Sequence, residues 1–194
     1  MKTSIHRFFD FLRAGAVALL LAACGGGVET GGTGATGGSY VEGPITGFGS
    51  IIVGGVRFDD STAAVEDADG RGRDALRLGV RVEVESDAIA TDSSGARSAT
   101  ATRVRLASDL LGPVTSVGQQ GVLIAVLGQS VRVTQATVVE GVPGGAASLA
   151  VGDTVEVSGF VEPGAAADGY VATRIERRSS APTSYRVRGV VRDL

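Results

Sequence analysis

Hydrophobic and polar residues alternate along much of the chain beyond residue 40. Val82 and Val84 alternate with Glu83 and Glu85, and the same pattern returns around Val155. Because successive side chains of a strand point to opposite faces, this alternation predicts strands with one buried face. No stretch after residue 40 combines a 3.6-residue period with helix caps. The pattern therefore predicts an all-β fold.

Segments of this alternating region recur in the same order. The matching pairs are GPIT (43–46) with GPVT (112–115), LRLGVRVEV (76–84) with LAVGDTVEV (149–157), and ATRV (101–104) with ATRI (172–175). The three offsets lie between 69 and 73 residues. Such a nearly constant offset predicts two tandem copies of one unit. A third unit is predicted to begin near Tyr185, where RVRGVV resembles the opening of each copy.

Each unit divides into five predicted strands. They are predicted at 43–49, 51–54, 55–60, 79–89 and 98–107 in the first unit, and at 112–118, 121–127, 130–139, 153–162 and 169–178 in the second. Hairpin turns are predicted at Gly54-Gly55 and at Gly128-Gln129. Five short strands per unit favour a small barrel of the oligonucleotide/oligosaccharide-binding (OB) type, and an immunoglobulin-like sandwich is the alternative.

The first 24 residues have a different character. Lys2, Arg7 and Arg13 precede a run of ten small and apolar residues at 14–23. Ten helical residues span about 15 Å, which is half the thickness of a bilayer core. This length indicates the core of a signal peptide and not a transmembrane helix.

The signal peptide ends in Leu21-Ala22-Ala23-Cys24, which resembles the lipobox of bacterial lipoproteins. The resemblance implies cleavage before Cys24 and acyl chains on its sulfur and amine, and several chains are needed for stable anchoring. An ordinary signal peptide with an unrelated cysteine is the alternative. Gly25, in place of an aspartate that would favour inner-membrane retention, favours the outer membrane. Residues 25–40 contain eight glycines and predict a flexible tether, with a reach of about 20–24 Å.

The sequence GPITGFGSIIVGGVRFDDSTA at 43–63, followed by L-x-L-G-x-x-V-E-V at 76–84, resembles a family of bacterial tandem-repeat lipoproteins of unknown function. The resemblance implies an anchored cysteine, a glycine-rich tether and several OB-like repeats, and members commonly continue through further repeats. It implies no activity. The predicted organisation is a signal peptide (1–23), a lipidated cysteine with its linker (24–40), two barrel repeats (41–108 and 109–180), and a third repeat or closing strand (181–194).

Composition narrows the possible chemistry. After removal of residues 1–23 the chain would contain no His, Lys, Met or Trp, and its only cysteine would be Cys24. This composition excludes intrachain disulfides, Cys/His metal sites, a Ser-His-Asp triad and lysine Schiff bases. Fifteen arginines would face twenty acidic residues, a net charge of −5. Single-stranded nucleic acid binding needs a positive groove and aromatic platforms, so no nucleic acid partner is expected.

One loop has a calcium-like beginning. Asp67-x-Asp69-Gly70, followed by Asp74, places oxygen ligands and a glycine as a calcium loop requires. Arg71 lies inside the loop, however, and no glutamate occupies the closing position. The sequence therefore predicts a solvated loop, and Asp67, Asp69 and Asp74 are only a weak calcium candidate. No cofactor is expected.

The carboxylates of the strands suggest ion pairs rather than catalysis. Glu83 and Glu85 point to the same side of their strand, and exposed carboxylates there have little burial to separate their pKa values. We predict cross-strand pairing of Glu83 and Glu85 with Arg103 and Arg105, and of Glu156 with Arg174. Within these pairings Glu83 is expected to neighbour Arg103. No catalytic residue is predicted.

The sequence as a whole indicates a non-catalytic binding or structural module of the cell envelope, whose partner is an envelope protein or a polysaccharide. A polysaccharide- or peptidoglycan-binding module is one alternative, and it predicts Tyr40, Tyr170 or Phe160 beside an arginine in one groove. A hydrolase that uses only carboxylates is another, and it requires two inward-facing acids in a cleft.

Overall fold

The computed structural model describes residues 37–162, 169–180 and 182–189. Within these residues the chain forms two closed β-barrels in tandem, connected by short turns and by three single turns of 3-10 helix. No helix in these ranges is long and apolar enough to cross a membrane. The predictions for residues 1–36, which include the signal peptide and Cys24, lie outside the described residues.

The first barrel is built from seven strands. They are β1 (Ser39–Gly47), β2 (Ile51–Val53), β3 (Val56–Asp59), β4 (Ala64–Glu66), β5 (Arg81–Ser86), β6 (Ala90–Thr91) and β7 (Arg97–Leu106). Five of them close the barrel in the order β1-β2-β3-β7-β5 and back to β1. The pairing of β3 with β7 is parallel, and the other four pairings are antiparallel. The short strands β4 and β6 add to β7.

The second barrel repeats this arrangement. Its strands are β8 (Leu110–Gly118), β9 (Leu123–Val126), β10 (Gln129–Arg132), β11 (Val138–Glu140), β12 (Thr154–Glu162), β13 (Gly169–Arg177) and β14 (Arg186–Val187). The closed order is β8-β9-β10-β13-β12, with a parallel pairing of β10 and β13. β11 adds to β13, and β14 adds to β8. Among the five strands that close each barrel, the first (β1 or β8) pairs with both the second (β2 or β9) and the fourth (β5 or β12). The third (β3 or β10) runs parallel to the fifth (β7 or β13). These pairings confirm the predicted OB-like barrels.

The alternating residues fill the two cores as predicted. Val82, Val84 and Val104 are completely buried in the first barrel, and Val155 and Val157 are completely buried in the second. Burial of such side chains contributes about 1.5–3 kcal/mol each. The inward valines therefore contribute substantially to the stability of each barrel core.

The parallel pairing that closes each barrel is called here its seam. The larger side chain of the seam lies on different strands in the two barrels. In the first barrel Phe58 of β3 lies opposite the small Ala99 of β7. In the second barrel Val131 of β10 lies opposite Tyr170 of β13. One large and one small residue therefore fill each seam, with the large one on the third strand in one barrel and on the fifth in the other. This exchange keeps the packed volume similar in the two copies.

Local details differ from the sequence predictions. The second hairpin turn is Leu127-Gly128, one residue earlier than predicted, with φ angles of 51° and 77°. It thereby matches the turn at Gly54-Gly55, with φ angles of 58° and 75°, and both suit a two-residue hairpin. The predicted strand at 130–139 is divided into β10 and β11. The segments between the third and fourth predicted strands of each unit, at 61–78 and 140–152, contain β4 and two 3-10 turns, Gly72–Ala75 and Ala146–Ser148.

We predict that Phe58→Ala lowers the free energy of unfolding by about 3–5 kcal/mol, because it leaves a cavity at the seam of the first barrel. Phe48→Ala is the matched control, since Phe48 is 51% exposed while Phe58 is completely buried. Urea denaturation of both variants provides the measurement. Equal effects of the two substitutions would contradict the position of Phe58 in the core.

Candidate functional site at the junction of the two repeats

The two barrels meet where the turn leading into β5 lies against β13. The hydroxyl of Thr173 donates a hydrogen bond to the carbonyl oxygen of Gly79 at 2.7 Å, and the Arg174 guanidinium donates to the carbonyl oxygen of Leu78 at 3.1 Å. Gly79 has a φ of +79°, and a Cβ atom added there would lie 2.5 Å from the carbonyl oxygen of Thr173. Only glycine combines this backbone conformation with so close an approach.

Asp109 is the most buried acid of the junction. It lies between β7 and β8, in the connection at 107–109, and is 2% exposed. Its carboxylate accepts a hydrogen bond from the backbone N–H of Gly159 at 2.9 Å and forms an ion pair with Arg81. Its backbone carbonyl accepts a hydrogen bond from the N–H of Arg188 at 2.7 Å. Asp109 thus connects the first barrel, the second barrel and the segment around β14.

Burial raises the pKa of Asp109, against the opposing effects of the Gly159 N–H and the Arg81 charge. Arg81 also binds Glu42 on the first strand and lies 5.9 Å from the centre of the Phe160 ring. A buried carboxylate that keeps both a cationic partner and a backbone donor is a structural connector, since each of its two oxygens is held by one of these partners.

Three glutamates lie side by side on the outer face of the second barrel. Glu156 of β12 is opposite Glu176 of β13, which is opposite Glu140 of β11. Like charges on neighbouring strands repel each other. The first barrel has Arg105 at the middle position, between Glu83 and Glu66. The glutamates of the second barrel therefore require positive charge from arginines at other positions.

Arginines from both repeats provide that charge. Arg71 of the first repeat reaches Glu156 with two hydrogen bonds of 2.9 and 3.0 Å. Within the second repeat Arg178 lies 3.1 Å from Glu156, and Arg174 binds both Glu140 and Glu176. The interrepeat contact thus combines backbone hydrogen bonds with complementary charge.

The predicted partner of Glu83 is wrong by two residues. Glu83 pairs with Arg105 at 3.1 Å, and Glu85 pairs with Arg103 at 2.9 Å. The alternating pattern determines which face a side chain occupies, but a register shift of two residues leaves every face unchanged. The bulge between Glu85 and Ser86 belongs to this pairing and is not visible in the alternation.

The predicted pair of Glu156 and Arg174 is also wrong by the same shift. Arg174 lies opposite Ser158, and a bulge separates Ser158 from Gly159. Glu156 instead pairs with Arg178 and with Arg71. Because Arg71 lies on the other repeat, no pattern within a single unit could have identified it.

Two of the three carboxylates of the calcium-like loop, those of Asp67 and Asp69, lie against arginines. Asp67 accepts a hydrogen bond from Arg71 Nε at 2.9 Å, and Asp69 lies 3.4 Å from Arg71 and 3.3 Å from Arg186. Asp74 is exposed in the 3-10 turn Gly72–Ala75. In the described ranges no three His, Cys, Asp or Glu side chains are arranged to hold a metal ion. Burial acts to raise the pKa of Asp67, but hydrogen bonds from Arg71 lower it overall.

The three candidate aromatic residues differ in exposure. Tyr170 is 4% exposed, and its hydroxyl donates a hydrogen bond to the carbonyl oxygen of Arg188. Phe160 is 43% exposed beside Arg81, and Tyr40 is 58% exposed on β1. Tyr170 therefore belongs to the core, while Phe160 and Tyr40 remain on the surface.

The sequence pattern did not single out the main junction residues, which are Gly79, Asp109 and Thr173. Gly79 and Thr173 belong to the repeated blocks LRLG and ATRI, but both repeats contain the equivalent residues. Repetition alone could not show which copy makes the contact. The position of Asp109 in the short connection between repeats was the available signal.

The fold and its junction define a tandem β-barrel repeat protein. The chain belongs to the family described as "Domain of unknown function (DUF5666)", which matches residues 41–105 and residues 112–176. No curated protein and no solved structure matches the chain significantly. The resemblance to a tandem-repeat family of unknown function is thus confirmed.

We predict that Gly79→Ala destabilises the protein by about 1–3 kcal/mol more than Gly152→Ala. Both glycines have positive φ angles, +79° and +95°, so both alanines are strained by the backbone. Only Gly79 lies against another repeat, whereas a Cβ at Gly152 meets no atom within 4 Å. Chemical denaturation measures the difference, and equal destabilisation would contradict the junction.

We also predict that Arg71→Gln makes the free energy of unfolding less dependent on pH under acidic conditions. The pKa of Asp67 in the folded protein lies below the ordinary value of 3.8. Asp67 therefore contributes stability above that value, and the contribution is lost as the pH falls through the lowered pKa. Unfolding free energies measured between about pH 5 and pH 2 should depend less on pH in Arg71→Gln. Arg57→Gln is the control, and an unchanged slope in Arg71→Gln would refute the assignment.

Proposed function

We propose that the protein is a non-catalytic structural or binding module of the bacterial cell envelope, in which the two barrels act as one rigid unit held at the outer membrane by lipid on Cys24. The observation that carries the proposal is the interrepeat junction. A flexible connector would be enough to keep two barrels in one chain without fixing their relative orientation. This chain instead joins them through a three-residue connection and a set of buried polar contacts.

The contacts of the junction favour a fixed relation between the barrels. Thr173 and Arg174 bind backbone carbonyls, which have no rotamer freedom of their own. Asp109 is held by groups from three segments. A charged group buried in this way is costly to separate from its partners, so sliding or opening of the junction is opposed.

The same contacts support a non-catalytic role. A catalytic carboxylate needs a perturbed pKa and access to a substrate. The pKa of Asp109 is raised by burial, but its oxygens are occupied by Gly159 and Arg81. Glu156 is occupied by Arg71 and Arg178. These acids hold the repeats together and leave little capacity for proton transfer.

The sequence before the barrels supports attachment to a membrane. Leu21-Ala22-Ala23-Cys24 has the form of a lipobox, and the glycine-rich segment that follows suits a tether. A tether of this length and composition reaches about 20–24 Å, which would keep the barrels close to the lipid surface. In this setting a rigid pair of barrels presents a defined surface to other envelope components.

Polysaccharide binding is the second candidate function, favoured by exposed Phe160 beside Arg81. Sugars bind to aromatic faces and to charged hydrogen-bond donors. If this surface binds a polysaccharide, Phe160→Ala should reduce cosedimentation with isolated peptidoglycan, while Phe48→Ala should not. Equal cosedimentation of both variants with the unmodified protein would contradict polysaccharide binding at Phe160.

We predict that Cys24→Ala abolishes incorporation of radiolabelled palmitate and releases the protein from the membrane fraction. Cys24 is the only cysteine in the chain, so no other thiol can replace it. Thr30→Ala, in the tether, is the control and should be labelled normally. Unchanged labelling of Cys24→Ala would refute the lipid anchor.

A further inference from the structure

The contact between the repeats joins two unlike surfaces. One is the turn Leu78-Gly79, called here the docking turn, and the other is the pair Thr173-Arg174, called the receiving site. Each repeat carries its own version of both surfaces, because both come from repeated blocks of sequence. The junction uses the docking turn of the first repeat and the receiving site of the second. Within the described residues, the docking turn of the second repeat and the receiving site of the first make no such contact, and they are called here the leftover surfaces.

The leftover docking turn is Val151-Gly152, and it has the same backbone arrangement as Leu78-Gly79. Gly79 donates to the carbonyl oxygen of Ile45 at 2.9 Å, and Gly152 donates to that of the equivalent Val114 at 2.9 Å. Gly79 is buried by the junction, whereas Gly152 is exposed. Val151 is 68% exposed, the largest exposure among the large hydrophobic residues of the described chain.

The leftover receiving site is Thr102-Arg103, and it also keeps the geometry of its counterpart. The Thr102 hydroxyl donates to the carbonyl oxygen of Glu85 at 3.1 Å, as Thr173 does to Ser158 at 3.1 Å. Thr173 has the carbonyl of Gly79 as a second acceptor. The Arg103 side chain is 43% exposed, and that of Arg174 is 4% exposed.

The charges of the two leftover surfaces are compatible. The receiving face of the first repeat has Arg105 between Glu66 and Glu83, so its glutamates are neutralised locally. The segment 141–152, which ends in the leftover docking turn, contains no charged residue. The uncharged turn can therefore contact this face, whose charges already pair with one another, without leaving any charge unpaired. The arginine-bearing loop of the first repeat instead suits the glutamate row of the second.

We propose that copies of this chain associate head to tail, with Val151-Gly152 of one copy seated on Thr102-Arg103 of the next. In this contact the Thr102 hydroxyl and the Arg103 guanidinium would bind the carbonyls of Gly152 and Val151. Two unlike surfaces that meet in this way produce open chains or rings rather than closed twofold dimers. The contact lacks the ion pair that Arg71 adds within the chain, so it is weaker than the junction. The proposal goes beyond the proposed function and is independent of the lipid anchor.

Chemical cross-linking between two single-cysteine chains tests this contact. Both chains carry Cys24→Ala, one with Thr100→Cys and the other with Val151→Cys, and they are mixed with a short bismaleimide. Thr100 is exposed on β7 two residues from Thr102, so the Thr102 hydroxyl is retained. We expect a heterodimer to form at least about tenfold faster than in the control mixture of Thr100→Cys with Val122→Cys, since a seated contact raises the effective thiol concentration. Val122 is a suitable control because it is 50% exposed on the same repeat.

A chain that carries both cysteines distinguishes cross-linking through this contact from cross-linking through random collisions. The Thr100→Cys/Val151→Cys chain should produce a ladder of covalent oligomers, and its circular dichroism should match that of the unmodified fold. Adding Arg103→Glu should abolish the ladder, because the carboxylate cannot donate to the Val151 carbonyl, whereas Arg132→Glu should preserve it. Equal rates for the Val151 and Val122 mixtures, or a ladder that Arg103→Glu leaves intact, would overturn the proposal.

Discussion

Closure of each barrel by a parallel pairing of its third and fifth strands is the constraint on which the other features depend. β3 pairs with β7 in the first barrel, and β10 pairs with β13 in the second. Within each barrel, these pairings join the two edges of its own sheet. Closed sheets cannot associate by extending one sheet into the other. The two repeats must therefore meet through their outer faces, which the alternating pattern makes polar.

A polar contact between barrels has specific physical requirements. Buried donors and acceptors need partners, which explains why Thr173 and Arg174 bind backbone carbonyls and why Asp109 binds Arg81 and Gly159. Ion pairs of this kind contribute little net stability, because desolvation offsets their attraction. They do select the arrangement in which all partners meet. The row of glutamates on the second barrel accepts the loop that carries Arg71, so charge complementarity favours contact between these two faces.

The alternating sequence predicted much of the fold because it reports the face of each residue. Val82 and Val84 were correctly placed inside, and the repeated blocks correctly indicated two barrels. The alternation could not determine register, because a shift of two residues returns each side chain to its own face. Glu83 was therefore assigned to Arg103 when its partner is Arg105. Contacts between repeats, such as Arg71 with Glu156, depend on residues 85 positions apart and follow from no local pattern.

The central claim is that the junction makes the two barrels one rigid unit. Backbone ¹⁵N relaxation of the full chain carrying Cys24→Ala tests it directly, because relaxation rates report the rotational motion of each barrel separately. The account predicts that residues of β1 to β7 and residues of β8 to β13 share a single overall rotational correlation time. Two different correlation times, each suited to a barrel that tumbles alone, would contradict it.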